Sequence, residues 1–166
     1  MSAAAPSPAP RAASPVHGGP RPTRTYQGIV YPWHCDHVGH MNVMWYVGKF
    51  DEATWFFFNR IGLTRELLAA EGRGMAAVEQ RIAYQREVRA GDALAVDTTL
   101  LEVRPRVLRF AHRMLVPDSD ETAAVMVQTT VYLDLVRRKA TALPAAVQRA
   151  AEPLVGTLAL PWDKRA

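Results

Sequence analysis

The densest cluster of reactive side chains in this sequence is His34-Cys35-Asp36-His37-Val38-Gly39-His40-Met41-Asn42. Three kinds of chemistry compete for it. His34, Cys35, Asp36, His37 and His40 could each ligate zinc. The second ligand pair of a structural zinc site is missing, however: Cys35 is the single cysteine, and His112 is the only other histidine in the part of the chain expected to fold. Cys35 could serve as a nucleophile activated by a neighbouring histidine, but adjacent residues on extended chain point to opposite sides. The third reading joins Asp36 to the helix that starts after Asn42. A helix N-terminus presents unsatisfied N–H groups and about half a positive charge. An amide there, such as that of Val43, could hold the oxyanion formed on attack at a carbonyl carbon. The Asp36 carboxylate, facing it, could act as nucleophile or general base. Gly39 lets the chain fold close to a ligand. Without a ligand, Asp36 and Asn42 would simply cap turns.

The elements that must position these residues can be read from periodicity. Thr25 to Trp33 is rich in β-formers and predicts a first strand. Asn42 stands before a long Pro-free run to Ile61, as an N-cap does, and that helix would be about 28 Å long. Its apolar residues (Val43, Trp45, Tyr46, Val47, Phe50, Ala53, Trp55, Phe57, Phe58 and Ile61) cover most of its circumference, so something must wrap it. Gly62 is the matching stop, and Thr64 caps a short helix to Glu71. From Met75 the period changes to two. Val78, Gln80, Ile82, Tyr84, Arg86 and Val88 share a face, and Ala90-Gly91-Asp92 breaks the strand. Leu94 to Val103, Val107 to Val116 and Thr122 to Val136 follow as strands. Arg104-Pro105-Arg106 and Pro117 to Glu121 form their turns. Short loops predict that these late strands are antiparallel neighbours. A short helix near Pro144 to Ala151 closes the order.

This pattern predicts an α+β domain: a curved antiparallel five-stranded sheet wrapped around one long central helix. The far side of that helix still needs cover, and a partner chain is the natural candidate. The expected domain runs over residues 25–152, between a disordered Pro/Ala-rich tail at 1–24 and a C-terminal tail at 153–166.

Composition narrows the function classes. With 166 residues, 49% hydrophobic and 22% charged, the chain is an ordinary globular one of a size for one domain. Lys plus Arg total 20 against 16 Asp plus Glu, a net charge of +4. That suits an anionic ligand but falls short of the basic stripe expected for nucleic acid. The most apolar stretch, Val43 to Ile61, contains Lys49, Asp51, Glu52, Asn59 and Arg60, which argues against a membrane span. The first 24 residues have no apolar core for a secretory signal, and six prolines forbid an amphipathic transit helix. With one cysteine and no leader, a cytoplasmic location is expected.

The nine-residue cluster, followed by Tyr46, Phe50 and Glu52-Ala53, resembles the signature of the 4-hydroxybenzoyl-CoA thioesterase-like family of hotdog-fold acyl-CoA thioesterases. The likeness continues through Gly91-Asp92 and the Arg-rich hairpin from Glu102 to His112, spanning roughly Thr25 to Leu143. The resemblance implies the hotdog fold and hydrolysis of an acyl-CoA thioester to a free acid and CoA. It implies that Asp36 is the catalytic carboxylate and that the backbone amide of Val43 polarises the carbonyl. His40 joins them, and Glu52 on the central helix stands in reserve, since other hotdog lineages use an acidic residue there. His34, Gly39, Asn42, Trp45 and Tyr46 would line the substrate site. Arg104 and Arg106 would meet the coenzyme A phosphates, Arg104 being the better match because Pro105 replaces a basic residue often seen there. Arg137, Arg138 and Lys139 form a second basic run. The resemblance further implies a homodimer or homotetramer with the active site at a dimer interface, and no metal or resident cofactor. Two alternatives remain open: an enoyl-thioester hydratase or dehydratase using His40 and Glu52, and a non-catalytic acyl-CoA-binding protein.

Overall fold

A computed structural model describes residues 19–163. Most of the expected N-terminal disordered tail, residues 1–18, lies outside the described residues. The chain runs β1 (Thr23–Ile29), α1 (Val43–Arg60), α2 (Arg65–Glu71), β2 (Arg73–Tyr84), β3 (Ala93–Arg104), β4 (Val107–Val116), β5 (Glu121–Asp134), β6 (Lys139–Ala140) and α3 (Ala145–Ala151), with 3₁₀ turns at Pro32–His34 and Glu152–Leu154. The sheet is antiparallel with order β1-β3-β4-β5-β2, and β6 adds two residues beside β5. This is the curved sheet around a central helix that the hotdog resemblance implied.

Two details depart from the sequence reading. The first strand ends at Ile29 rather than Trp33, because Pro32 opens a 3₁₀ turn there. β2 ends at Tyr84, not Val88, and a bulge between Ala77 and Glu79 turns Val78 outward. As the short loops predict, β3, β4 and β5 form an antiparallel meander, while β2 pairs with β5 at one edge and β1 with β3 at the other.

The helix ends are built as their residues require. The Asn42 side chain accepts the Met44 N–H at 3.0 Å, and Thr64 accepts that of Leu67 at 3.2 Å. Along α1, Tyr46, Phe50 and Ala53 pack into a core half with Leu94, Val96, Met114 and Met126. Phe57, Phe58 and Ile61 pack into the other half with Leu100, Leu108, Phe110 and Tyr132. Val43, Met44, Trp55 and Phe56 remain exposed on the same helix. Residues 155–163 are not loose: Val155 bridges Leu100, and Leu158 and Leu160 bury against Ala111, Val125 and Val127 on the outer face of the sheet. Arg81 stacks over the Trp162 ring at 4.3 Å.

A directed polar chain joins the two core halves. Thr54 donates its hydroxyl to the Phe50 carbonyl at 2.8 Å, so its oxygen accepts from His112 Nε2–H at 2.8 Å. Nδ1 of His112 then accepts from Thr98 at 2.7 Å, and Thr25 meets Thr98 at 2.7 Å. His112 is fully buried between Phe50 and Phe110, and burial pushes its pKa from 6.5 down to about 3. The pKa falls on folding, so the unfolded chain binds the extra proton first. Stability from this group is complete above pH 6.5 and is lost as pH falls from there toward 3, at up to about 1.4 kcal/mol per unit. Urea titrations at pH 7 and pH 5 should show this slope. It should flatten in His112→Gln, which keeps a donor for Thr54 but cannot titrate; an unchanged slope would remove His112 as the cause.

Candidate active site

Asp36 and Val43 are brought together by a tight reversal of the chain. Cys35 bridges Met41, the Asn42 N–H donates to the His34 carbonyl at 2.9 Å, and the Asp36 N–H donates to the His40 carbonyl at 3.1 Å. Gly39 sits at the tip with φ +90°, a conformation that a side chain would strain. The Val38 N–H donates to Asp36 Oδ1 at 2.9 Å, which leaves the second carboxylate oxygen outside the turn. Val43 is the first residue of α1, so its amide lies too early in the helix for an i→i−4 acceptor. Asn42 caps the Met44 N–H instead, and among the described residues the Val43 N–H has no acceptor.

Both groups line one cleft of about 480 Å³, whose walls are Asp36, His40, Met41, Asn42, Val43, Tyr46 and the segment Tyr84, Gln85, Arg86 and Glu87. Tyr46 is buried and donates its hydroxyl to the Arg86 carbonyl at 3.2 Å, with its ring edge-to-face on Tyr84. Burial raises its pKa, so it stays a neutral phenol. His40 Nε2 lies 3.4 Å from Glu87 Oε1. Arg86 is engaged by Glu121 and Ser119, so its charge is already countered.

The other residues singled out in the sequence lie elsewhere. His34 is buried beneath the reversal, where Nδ1 accepts the Tyr31 N–H at 3.0 Å and the ring packs on Trp45 at 4.4 Å. Desolvation lowers its pKa, Lys49 adding to the effect, so it is a neutral structural histidine. Trp45 packs on His34 and the core rather than in the cleft. Glu52 is exposed on α1 and lines a separate cleft with Arg24, Thr25, Tyr26, Gln27 and Phe56. Arg104 and Arg106 are exposed on the β3–β4 hairpin, beside the core half that holds Phe57 and Phe58, at the opposite end of α1 from Asp36 in the same chain. Arg104 is bonded to Glu102 at 2.7 Å.

The cleft wall that the sequence reading missed is Tyr84 to Glu87. Alternation continues unbroken through Arg86 and Val88, so nothing in the pattern marks the strand's end. In the fold, the Gln85 and Arg86 N–H groups both converge on the Ala123 carbonyl, at 2.8 and 3.1 Å, and Val88 receives the Met41 N–H at 2.8 Å. Among the described residues, no group of His, Cys, Asp and Glu side chains could hold a metal ion. No helix there is long and apolar enough to cross a membrane.

Residues 30–151, most of the domain and the whole reversal, match the Thioesterase-like superfamily. The chain belongs to that superfamily. This member is 32% identical over 133 residues to an L-carnitine dehydrogenase/betainyl-CoA thioesterase of Agrobacterium fabrum; the match covers 80% of this chain but 27% of that protein. It is 28% identical over 111 residues to a betainyl-CoA thioesterase of Pseudomonas aeruginosa, covering 67% of this chain and 70% of that one. The chain thus spans only about a quarter of the first of these relatives. Among solved structures, the superfamily member superposes on a Staphylococcus aureus protein in complex with CoA at TM-score 0.78 and 17% identity, covering 86% of this chain and 92% of that one. It also superposes on a 1,4-dihydroxy-2-naphthoyl-CoA thioesterase from Synechocystis at TM-score 0.70 and 20% identity, covering 78% and 95%. At such identities these two likenesses establish the hotdog fold alone.

Proposed function

We propose that the protein is an acyl-CoA thioesterase whose hydrolytic centre is the cleft between Asp36 and the start of α1. The observation that carries this reading is the Asp36 carboxylate sharing a cleft with an amide, that of Val43, that has no acceptor among the described residues. A thioester carbonyl seated between them has its oxygen toward the Val43 N–H and its carbon toward the carboxylate. Asp36 either attacks the carbon or draws a proton from the attacking water; a C–O bond forms, and the carbonyl electron pair moves onto oxygen, where the amide holds it. The C–S bond then breaks, and CoA leaves as a thiolate that takes up a proton; where Asp36 itself has attacked, water then opens the mixed anhydride, freeing the acid and restoring the carboxylate. His40, held by Glu87, lies on the cleft wall where it can orient water or Asp36. The neutral Tyr46 phenol seals the inner end.

Membership of the superfamily and two relatives named as betainyl-CoA thioesterases support the thioester substrate. The hydratase alternative needs His40 and Glu52 together, and these two line separate clefts within one chain. Exposed Val43, Met44, Trp55 and Phe56 on α1 support association with a second copy, as a homodimer or homotetramer, which would also offer Arg104 and Arg106 a route to CoA phosphates bound by the partner. The reading requires no metal or resident cofactor and suits a cytoplasmic setting.

Thiol release measured over a panel of acetyl-, medium-chain, benzoyl- and betainyl-CoA tests it. At least one substrate should be hydrolysed with kcat/KM of about 10⁴ M⁻¹s⁻¹ or more. No free thiol from any member of the panel, or altered unsaturation without thiol, would overturn it.

A further inference from the structure

On the outer face of the sheet, away from Asp36, Arg113 of β4 is only 9% exposed and yet has no carboxylate within ion-pairing distance among the described residues. Its Nε donates to Thr122 Oγ1 at 3.0 Å, which accounts for one of five guanidinium N–H groups. The other four have no acceptor among the described residues. Asp97 and Asp120 are near enough to favour the charged form, but Asp97 is held by Arg24. Desolvation dominates and lowers the Arg113 pKa, the mark of a cation short of partners.

This guanidinium lines a cleft of about 210 Å³ walled on one side by the C-terminal segment, with Gln85, Thr122, Val125, Leu158, Leu160 and Pro161 around it. The donors and the walls differ in kind. Thr122 uses its oxygen as the acceptor for Arg113, so its O–H is free to donate outward. Gln85, whose side chain carries a neutral amide, also lines the cavity. Val125, Leu158, Leu160 and Pro161 supply an aliphatic surface on the other side. A donor fork beside an aliphatic wall matches a molecule with an anionic head and a short apolar tail. The nearby Asp97 and Asp120 carboxylates penalise a second negative charge, which favours a monoanion over phosphate.

We infer that this cavity is a binding site for a short aliphatic monocarboxylate, its carboxylate on the Arg113 guanidinium and its tail against Val125, Leu158 and Leu160. The proposal does not rest on the thioesterase reading, since Arg113, Thr122 and the aliphatic wall are no part of the Asp36 cleft. Gln85 is shared by the two cavities, so an occupant here touches a residue that also walls the other.

The test is calorimetric titration of the full chain with sodium butyrate, butyramide and inorganic phosphate in parallel. Butyrate should bind at least tenfold more tightly than butyramide or phosphate, about the scale of one charge-assisted hydrogen bond. Arg113→Gln should weaken butyrate by about tenfold or more. Should that variant fail to fold, Ala159→Trp, which fills the cavity from its exposed rim, should abolish butyrate binding instead. Equal binding of butyrate and butyramide, preference for phosphate, or butyrate binding that survives Ala159→Trp would each overturn the inference.

Discussion

Replacing Asp36 with Asn should lower kcat for thioester hydrolysis by about 10² to 10⁴-fold, the range a positioned general base supplies, with little change in KM or in thermal stability. The substitution is clean for a structural reason. Asp36 holds the reversal together through Oδ1, which accepts the Val38 N–H at 2.9 Å, and the carbonyl oxygen of an Asn makes the same bond. Only the negative charge and the basic lone pairs are lost. Because the carboxylate is partly exposed and has no ion pair among the described residues, its removal strands no partner charge there. Steady-state kinetics beside a melting curve separates the outcomes. Hydrolysis within a few-fold of the parent, in a protein that melts normally, would show that Asp36 is not the reacting group. A single-turnover reaction in ¹⁸O-labelled water, followed by mass analysis of the Asp36 peptide, identifies attack by the carboxylate when label enters the side chain, which requires water to open the mixed anhydride at the Asp36 carbonyl; label confined to the product acid fits direct attack by water or opening at the acyl carbon.

The second large effect concerns an atom rather than a side chain. Val43→Pro removes the N–H assigned to the oxyanion and almost nothing else. At the first position of a helix the amide makes no intrahelical bond, so proline is well tolerated there. Asn42, the residue that would precede it, already has φ −66° and ψ 146°, inside the extended region that proline demands of its neighbour. The Val43 side chain is 57% exposed, so the ring meets no packed core. The expected result is a fall in kcat of about 10² to 10³-fold, the cost of deleting one oxyanion donor, in a protein whose circular dichroism and melting temperature match the parent. Val43→Ala, which keeps the amide, should retain activity within a few-fold. If Val43→Pro is as active as Val43→Ala, the helix end does not carry the negative charge.

The parts of this molecule that were legible in the sequence are the ones encoded by neighbours. Asn42 announces α1 because a short acceptor precedes a run without proline, and Thr64 announces α2 in the same way. The meander from β3 to β5 follows from alternation and two tight turns. What stayed hidden is encoded by residues far apart. His112 reads as an inward-facing strand residue beside Leu108 and Phe110, but its partners Thr54 and Thr98 lie 58 and 14 positions away, and Thr25 lies 73 from Thr98. No local pattern links them. The pairing of β2 with β5 is equally non-local, and it moves the segment after Tyr84 from a strand into the wall of the cleft. Residues 155–163 gave no signal because Leu158 and Leu160 alone are too short a repeat to distinguish a buried strap from a polar tail.

That strap has a consequence for how the polypeptide is made. Leu158, Leu160 and Trp162 follow in sequence every strand they cover, so during translation β4 and β5 leave the ribosome before their outer surface has anything to lie against. Until Leu158, Leu160 and Trp162 follow, Ala111, Val125 and Val127 offer nascent chains an adhesive patch, and this is the interval in which chaperone capture competes with completion of the domain.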